Sequence, residues 1–243
     1  MRVELGSGLS DPSVRRPASL FPASSRPRRP LRNIGLVARG ERARDLCLET
    51  VLDISKAVGR LPCCIDLHEN PPNLSDRLDA DVVLVSRRLG EPVSERHRRA
   101  GDAILRSRAP VLFVPWTART RMTGGRAVIA WDGSPSAVAA LCSAAPLLCV
   151  TREILIVDVQ LEEAGIDVDQ AAKFISDLPG DRHLDVAAQW LESPAALMQA
   201  ALFTRADYFV MGGVGRWSAL PEILYGDCDS SFLRTPVPLL LGH

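Results

Sequence analysis

The sequence predicts an α/β chain of two tandem, doubly wound parallel sheets, the first short of about one strand–helix unit. Three observations predict it. Short apolar runs alternate along the chain with stretches of helical periodicity, the order that gives parallel strands covered by helices on both faces. The apolar run Tyr208 to Met211 reads as a buried strand and leads straight into Gly212, Gly213 and Gly215. The chain also repeats itself.

The repeat is one of spacing. Ala80-Asp81 opens an apolar run and is followed by Arg108-Ala109-Pro110-Val111. Ala206-Asp207 and Arg234-Thr235-Pro236-Val237 match it at an offset of 126, with 30 residues from Ala to Pro in both. The first strands align differently: Gly40 falls on Gly133 at an offset of 93. The difference of 33 residues is the size of one strand–helix unit. This gives a tail over 1–31, a truncated domain over 32–117, a linker over 118–125 with Gly124-Gly125 in it, and a full domain over 126–243.

Each element has its own signal. Residues 1–31, rich in Arg, Pro and Ser, lack apolar periodicity and read as a disordered tail. Asn33–Ala38 is a strand and Glu41–Val58 a helix carried by Leu46, Leu48, Val51, Leu52, Ile54 and Val58. Cys63–Leu67 is a strand; Asn70-Pro-Pro-Asn73 is a loop before a short polar helix. Asp81–Val85 is a strand, the arginine-rich 86–99 a long loop, Asp102–Arg108 a helix and Pro110–Val114 a strand. After the linker, Ala127–Trp131 is a strand ending in Asp132-Gly133-Ser134-Pro135. Ser134 is a good N-cap and Pro135 a good first helical residue for a helix to Cys149. Glu153–Val159 is a strand, Val168–Leu178 a helix, Leu184–Trp190 a strand, and Ser193-Pro194 caps a helix to Phe203. Beyond the glycines a loop leads to Gly226 and Asp227, where a short helix starts and runs to Arg234, before a last strand, Leu239–Leu241.

Composition narrows the function. There are 29 basic and 29 acidic residues, so no net charge draws the chain to nucleic acid. The six cysteines show no metal-ligand spacing and no CxxC; they read as a reducing, cytoplasmic setting with Cys47, Cys142 and Cys149 in the core. No run is long enough to span a membrane. The four histidines, at 68, 97, 183 and 243, are scattered and fit no nucleophile elbow or zinc pattern. Asp227 and Asp229 have the spacing of cation ligands and also of a helix-capping pair; no metal is predicted. Strand, glycine loop and helix amino end together form a phosphate-holding layout, because free N–H groups converge there. The same glycines also suit an ordinary crossover in which they only make turns.

These residues resemble the universal stress protein family in its tandem form. Ala130-Trp131-Asp132-Gly133-Ser134, the segment Ala206-Asp207 to Gly215, and the closing Pro236-Val237-Pro238 carry the resemblance, which covers 126–243 well and 32–117 weakly. It implies a five-stranded, flavodoxin-like three-layer domain of the adenine nucleotide α-hydrolase type, with two halves pairing through their last strands. Members bind ATP, or bind none and act as stress or signalling modules. Family nucleotide binding uses an acid after the first strand, matched by Asp132, and a loop G-x2-G-x9-G-[Ser/Thr]. The resemblance adds Gly133 beside the acid and Val157 on the adjacent strand. Gly212 and Gly215 match the loop, but ten residues separate Gly215 from Gly226, and Asp227 stands where a hydroxyl belongs. A carboxylate caps a helix well and repels phosphate. In the first half Arg39 replaces the acid and no glycine loop follows Val85. The resemblance thus implies a non-catalytic stress-response or regulatory module with ATP bound weakly or not at all; the alternative is an ATP-dependent switch in the second half. Protein partners are unspecified, and strand edges left by the missing unit leave room for two chains to associate.

Overall fold

The apolar runs form strands of a single sheet. The structure is a computed structural model and describes residues 21, 31–73, 78–88, 90–116, 122–159, 168–189, 199, 204–213, 220–225 and 236–243. The strands are β1 (Asn33–Ala38), β2 (Cys63–Asp66), β3 (Val82–Ser86), β4 (Val111–Phe113), β5 (Arg126–Trp131), β6 (Glu153–Val159), β7 (His183–Gln189), β8 (Tyr208–Gly212) and β9 (Leu239–Gly242). The helices are α1 (Glu41–Val58), α2 (Glu95–Ser107), α3 (Pro135–Leu148), α4 (Val168–Ser176) and the short α5 (Leu220–Tyr225).

In place of two separate sheets, the nine strands lie in the order β2-β1-β3-β4-β9-β8-β5-β6-β7. Every neighbouring pair is parallel except β4 and β9, which run antiparallel with Val111 opposite Leu241, Leu112 opposite Leu240 and Phe113 opposite Leu239. The physical reason is edge satisfaction. Apart, β4 and β9 would each present an unpaired row of N–H and C=O groups; together they fill it and bury six apolar side chains.

The two sides of that seam repeat one hydrogen-bond pattern. Asp81 accepts from the N–H groups of Arg32 (2.6 Å) and Asn33 (2.8 Å), and its own N–H donates to the Asn33 carbonyl. Asp207 accepts from the N–H of Arg126 (2.7 Å) and donates its own to the Arg126 carbonyl. In each case the aspartate before an inner strand ties off the start of the first strand. The closing strands need a correction. Val83 donates to the Pro110 carbonyl and Phe209 to the Pro238 carbonyl, so Pro238, not Pro236, is the counterpart of Pro110.

Local chemistry fixes the helices. α1 begins after Gly40 (φ 80°) and stops at Gly59 (φ 65°), a left-handed position suited to glycine. α3 starts where expected, with the Ser134 hydroxyl accepting from the N–H of Ala137 and Pro135 at its first position. Two segments expected as loop are helical. α2 begins at Glu95, capped by Ser94, whose hydroxyl accepts from the N–H of His97. Residues 220–225 form α5, because Leu220, Ile223 and Leu224 make an apolar face that is fully buried. Asp53 of α1 holds the start of the second half, accepting from the N–H groups of Met122 (2.6 Å) and Thr123 (3.2 Å). Phe21 stacks on Phe174, with ring centroids 4.5 Å apart, and on Trp131. The expected helices over 193–203 and 227–234, and the start of the one after Asn73, fall largely outside the described residues.

One core lies on the face covered by α1, α3 and α4, and holds Ile34, Leu36, Ile129, Trp131 and Leu141. The other lies on the face of α2 and α5, and holds Val37, Val85, Ile104, Phe209 and Leu224. No helix among the described residues is long and apolar enough to cross a membrane.

Candidate functional site

Parallel strands end together, and chain order reverses across β5: β6 lies on one side of it and β8 on the other. The crevice at such a reversal is where open α/β sheets bind ligands. Asp132 and Gly133 leave β5 at this point, and Gly212 closes β8 beside them. Val157, on β6, pairs in register with Ala130 of β5. The topology therefore brings Asp132, Gly133, Val157 and Gly212 to one end of three adjacent strands. Gly215, Gly226 and Asp227 lie outside the described residues.

The chain's own groups use most of what these residues offer. The Asp132 carboxylate accepts from the N–H of Ser134 (2.9 Å) and so closes its own turn. Gly133 has φ 70°, the left-handed conformation that this tight exit from β5 demands. The hydroxyls of Ser134 and Ser136 meet at 2.9 Å. A Cβ on Gly212 would stand 2.5 Å from the Ser136 hydroxyl oxygen and 3.1 Å from the Ala137 nitrogen. Gly212 is therefore glycine because the first turn of α3 presses on the end of β8. Val157 is buried among the apolar residues of the α2–α5 face.

Two features escaped the sequence reading. Gly242 pairs with Gly212 in register, and a Cβ on it would overlap the backbone of Ala140. Asp158, in register with Trp131, brings a second carboxylate-bearing residue to the strand ends. Neither carries a local signal, because strand register and helix approach decide both.

The corresponding place in the first four strands is cross-linked differently. Arg39 leaves β1, donates to the Pro92 carbonyl (3.3 Å) and pairs with Glu91 (3.5 Å). Arg87 is buried and donates to the Glu91 carbonyl (3.1 Å). The rings of His68 and His97 meet edge to face with centroids 6.3 Å apart. Burial, and the charges of Arg87, His68 and Arg39, push His97 down to about 4, against a hydrogen bond to the Leu224 backbone. A neutral, core-packed imidazole results.

Burial, with Asp66 and Cys64 nearby, pushes the Cys47 thiol up to about 12, and burial also raises Cys64 and Cys149. None of these three is an activated thiolate. The Ser134 and Ser136 hydroxyls bond to each other, the Ser134 hydroxyl also accepts from the N–H of Ala137, and no imidazole joins them among the described residues. No group of three or more His, Cys, Asp or Glu among the described residues is placed to hold a metal ion.

The fold is similar to the crystal structure of a universal stress protein from Archaeoglobus fulgidus DSM 4304. Identity is 16%, the match covers 87% of this chain and 85% of that one, and the TM-score is 0.48. It is also similar to a functionally unknown protein from Pseudomonas aeruginosa PAO1, at 13% identity over 87% of this chain and 92% of that one, with a TM-score of 0.47. No family model matches the chain, and no curated protein matches it.

Proposed function

We propose that this chain is a tandem universal-stress-type protein that works without catalysis, as a stress-response or regulatory module whose nucleotide site has degenerated. The observation that carries the reading is the use to which the family-matching residues are put. Asp132 closes its own turn, and the Gly212 backbone lies against the first turn of α3. These are structural duties that persist without a ligand. Asp227 stands where the family loop carries a hydroxyl, and a carboxylate there repels phosphate: two like charges at ~4 Å cost about 1 kcal/mol in water and several times that when partly buried. The tandem reading draws on the repeated Asp81 and Asp207 bonds and on strand orders that mirror each other about the β4–β9 seam. In it the first half lacks a counterpart of β7, and the halves pair through their last strands.

An ATP-dependent switch is the second reading, favoured by the position of Asp132 and Gly212 at the chain reversal. Calorimetric titration of the whole chain with Mg-ATP separates the two. The degenerate-site reading expects protein purified without nucleotide and no heat change up to millimolar ATP. Co-purified adenine nucleotide, or a micromolar constant lost in Asp132→Ala, would establish the switch instead.

A further inference from the structure

Apolar side chains left in water concentrate on one part of this molecule. The exposed large hydrophobic residues among those described are Leu48, Leu52, Leu61 and Val186. The first three lie on α1 or just after it. Leu48 and Leu52 are 46% and 52% exposed and stand one helical turn apart.

Comparison within the chain shows why these two are unusual. Leu48 and Leu52 come eight and twelve residues after Gly40, and Leu141 and Ala145 come eight and twelve after Gly133. Leu141 and Ala145 are fully buried, in a core that α4 closes with Ala171, Phe174 and Ile175. Nothing among the described residues plays the part of α4 and β7 beside α1: β2 has β1 on one side and no strand on the other. Among the described residues nothing covers these two leucines as α4 covers their counterparts.

The charges on that face name an occupant. Along its outer stripe α1 carries exposed Glu41 and Asp45, then Leu48 and Leu52 with exposed Glu49 on their flank, then exposed Lys56. The bases of the first turns are committed elsewhere: Arg44 pairs with Asp66 (2.9 Å) and Glu69 (3.2 Å), and Arg42 lies over the Trp116 ring. Such a stripe, acid at one end and base at the other with leucine between, complements itself when turned end for end. That is the requirement of an isologous two-fold contact. We infer that two copies of this chain associate through the outer faces of their α1 helices, antiparallel, with Leu48 and Leu52 of both at the centre and Asp45 of each against Lys56 of the other. The inference uses the correspondence between the two halves and is independent of whether nucleotide binds.

Sedimentation velocity of the full chain, without nucleotide and across the micromolar range, tests it. A monomer–dimer equilibrium is expected. L48D/L52D should weaken it by roughly a hundredfold or more, since four leucines lose their burial. Both positions are half exposed in the monomer, so circular dichroism and the thermal transition of that variant should stay unchanged. D45K or K56E alone should weaken association by about tenfold, and D45K/K56E together should restore it. A chain that stays monomeric throughout, a dimer that survives L48D/L52D, or a charge exchange that restores nothing would overturn the inference.

Discussion

Gly242 shows how a single missing side chain sets the distance between a strand and a helix. Its Cα faces the Ala140 backbone so closely that any Cβ would overlap it, and Gly212 beside it meets Ser136 and Ala137 of the same helix. α3 thus lies directly on the ends of β8 and β9. Gly242→Ala must push α3 outward or distort β9, and overpacking of this kind costs typically 1–3 kcal/mol. Urea denaturation of that variant should show a loss of about 3 kcal/mol; a loss below about 0.5 kcal/mol would show that the helix gives way freely. The sequence made Gly212 conspicuous because other glycines surround it. Gly242 passed unmarked because its constraint comes from a helix a hundred residues earlier in the chain. Asp132 was a functional candidate only through the family resemblance, and its engagement with Ser134 needed coordinates.

At the scale of elements, the docking of α2 on α5 is the contact that the sequence reading missed. α2 was hidden by Arg96, Arg98 and Arg99, which make its opening look like loop. Its buried side is made of Ala100, Gly101, Ala103 and Ile104, with His97 among them. The Ser94 cap was the signal that could have found it. Gly101 admits Leu224 and Tyr225, whose hydroxyl donates to Asp102 (2.5 Å). His97 lies at this contact, uncharged, with Arg87, Arg39 and His68 around it. Its folded value of about 4 is below the usual unfolded value of about 6.5, so the unfolded chain binds the proton first. The stability it contributes is therefore present above about pH 6.5 and is lost as the pH falls toward 4. His243, pushed down by burial and by Arg108, adds to the same trend. Denaturant midpoints measured between pH 7 and pH 4 should fall by the equivalent of about 3 kcal/mol for His97, and His97→Leu should flatten that part of the slope. An unchanged slope in the variant would assign the acid sensitivity to other groups.

For the whole molecule, the strand and helix order was legible because buried parallel strands read as apolar runs and helices as periodic ones. The meeting of β4 and β9 in one sheet had no local signal; pairing through last strands entered only as an implication of the resemblance. Leu239, Leu240 and Leu241 announce a strand covered on both faces, yet nothing local tells which neighbour lies beside it. Because β4 and β9 share a ladder, unfolding one side of the seam strips the other of its edge. Scanning calorimetry of the full chain should give a single cooperative transition. Leu240→Asp puts an unpaired charge against Leu112 and should cost more than ~4 kcal/mol, with amide exchange accelerating in β1–β3 and β5–β8 alike. Two resolved transitions, or acceleration confined to one side, would show that the halves stand independently.

The seam also sets a timetable. β9 follows every other described strand in the chain, yet its place in the sheet is the middle. On the ribosome β1 to β4 emerge first and wait with an open flank, while β8 waits with another, until Leu239–Gly242 clears the exit tunnel and slides between them. β4 must therefore keep its flank open while residues 114–238 are made, and the joining of the two sides into one sheet depends on the four residues of β9.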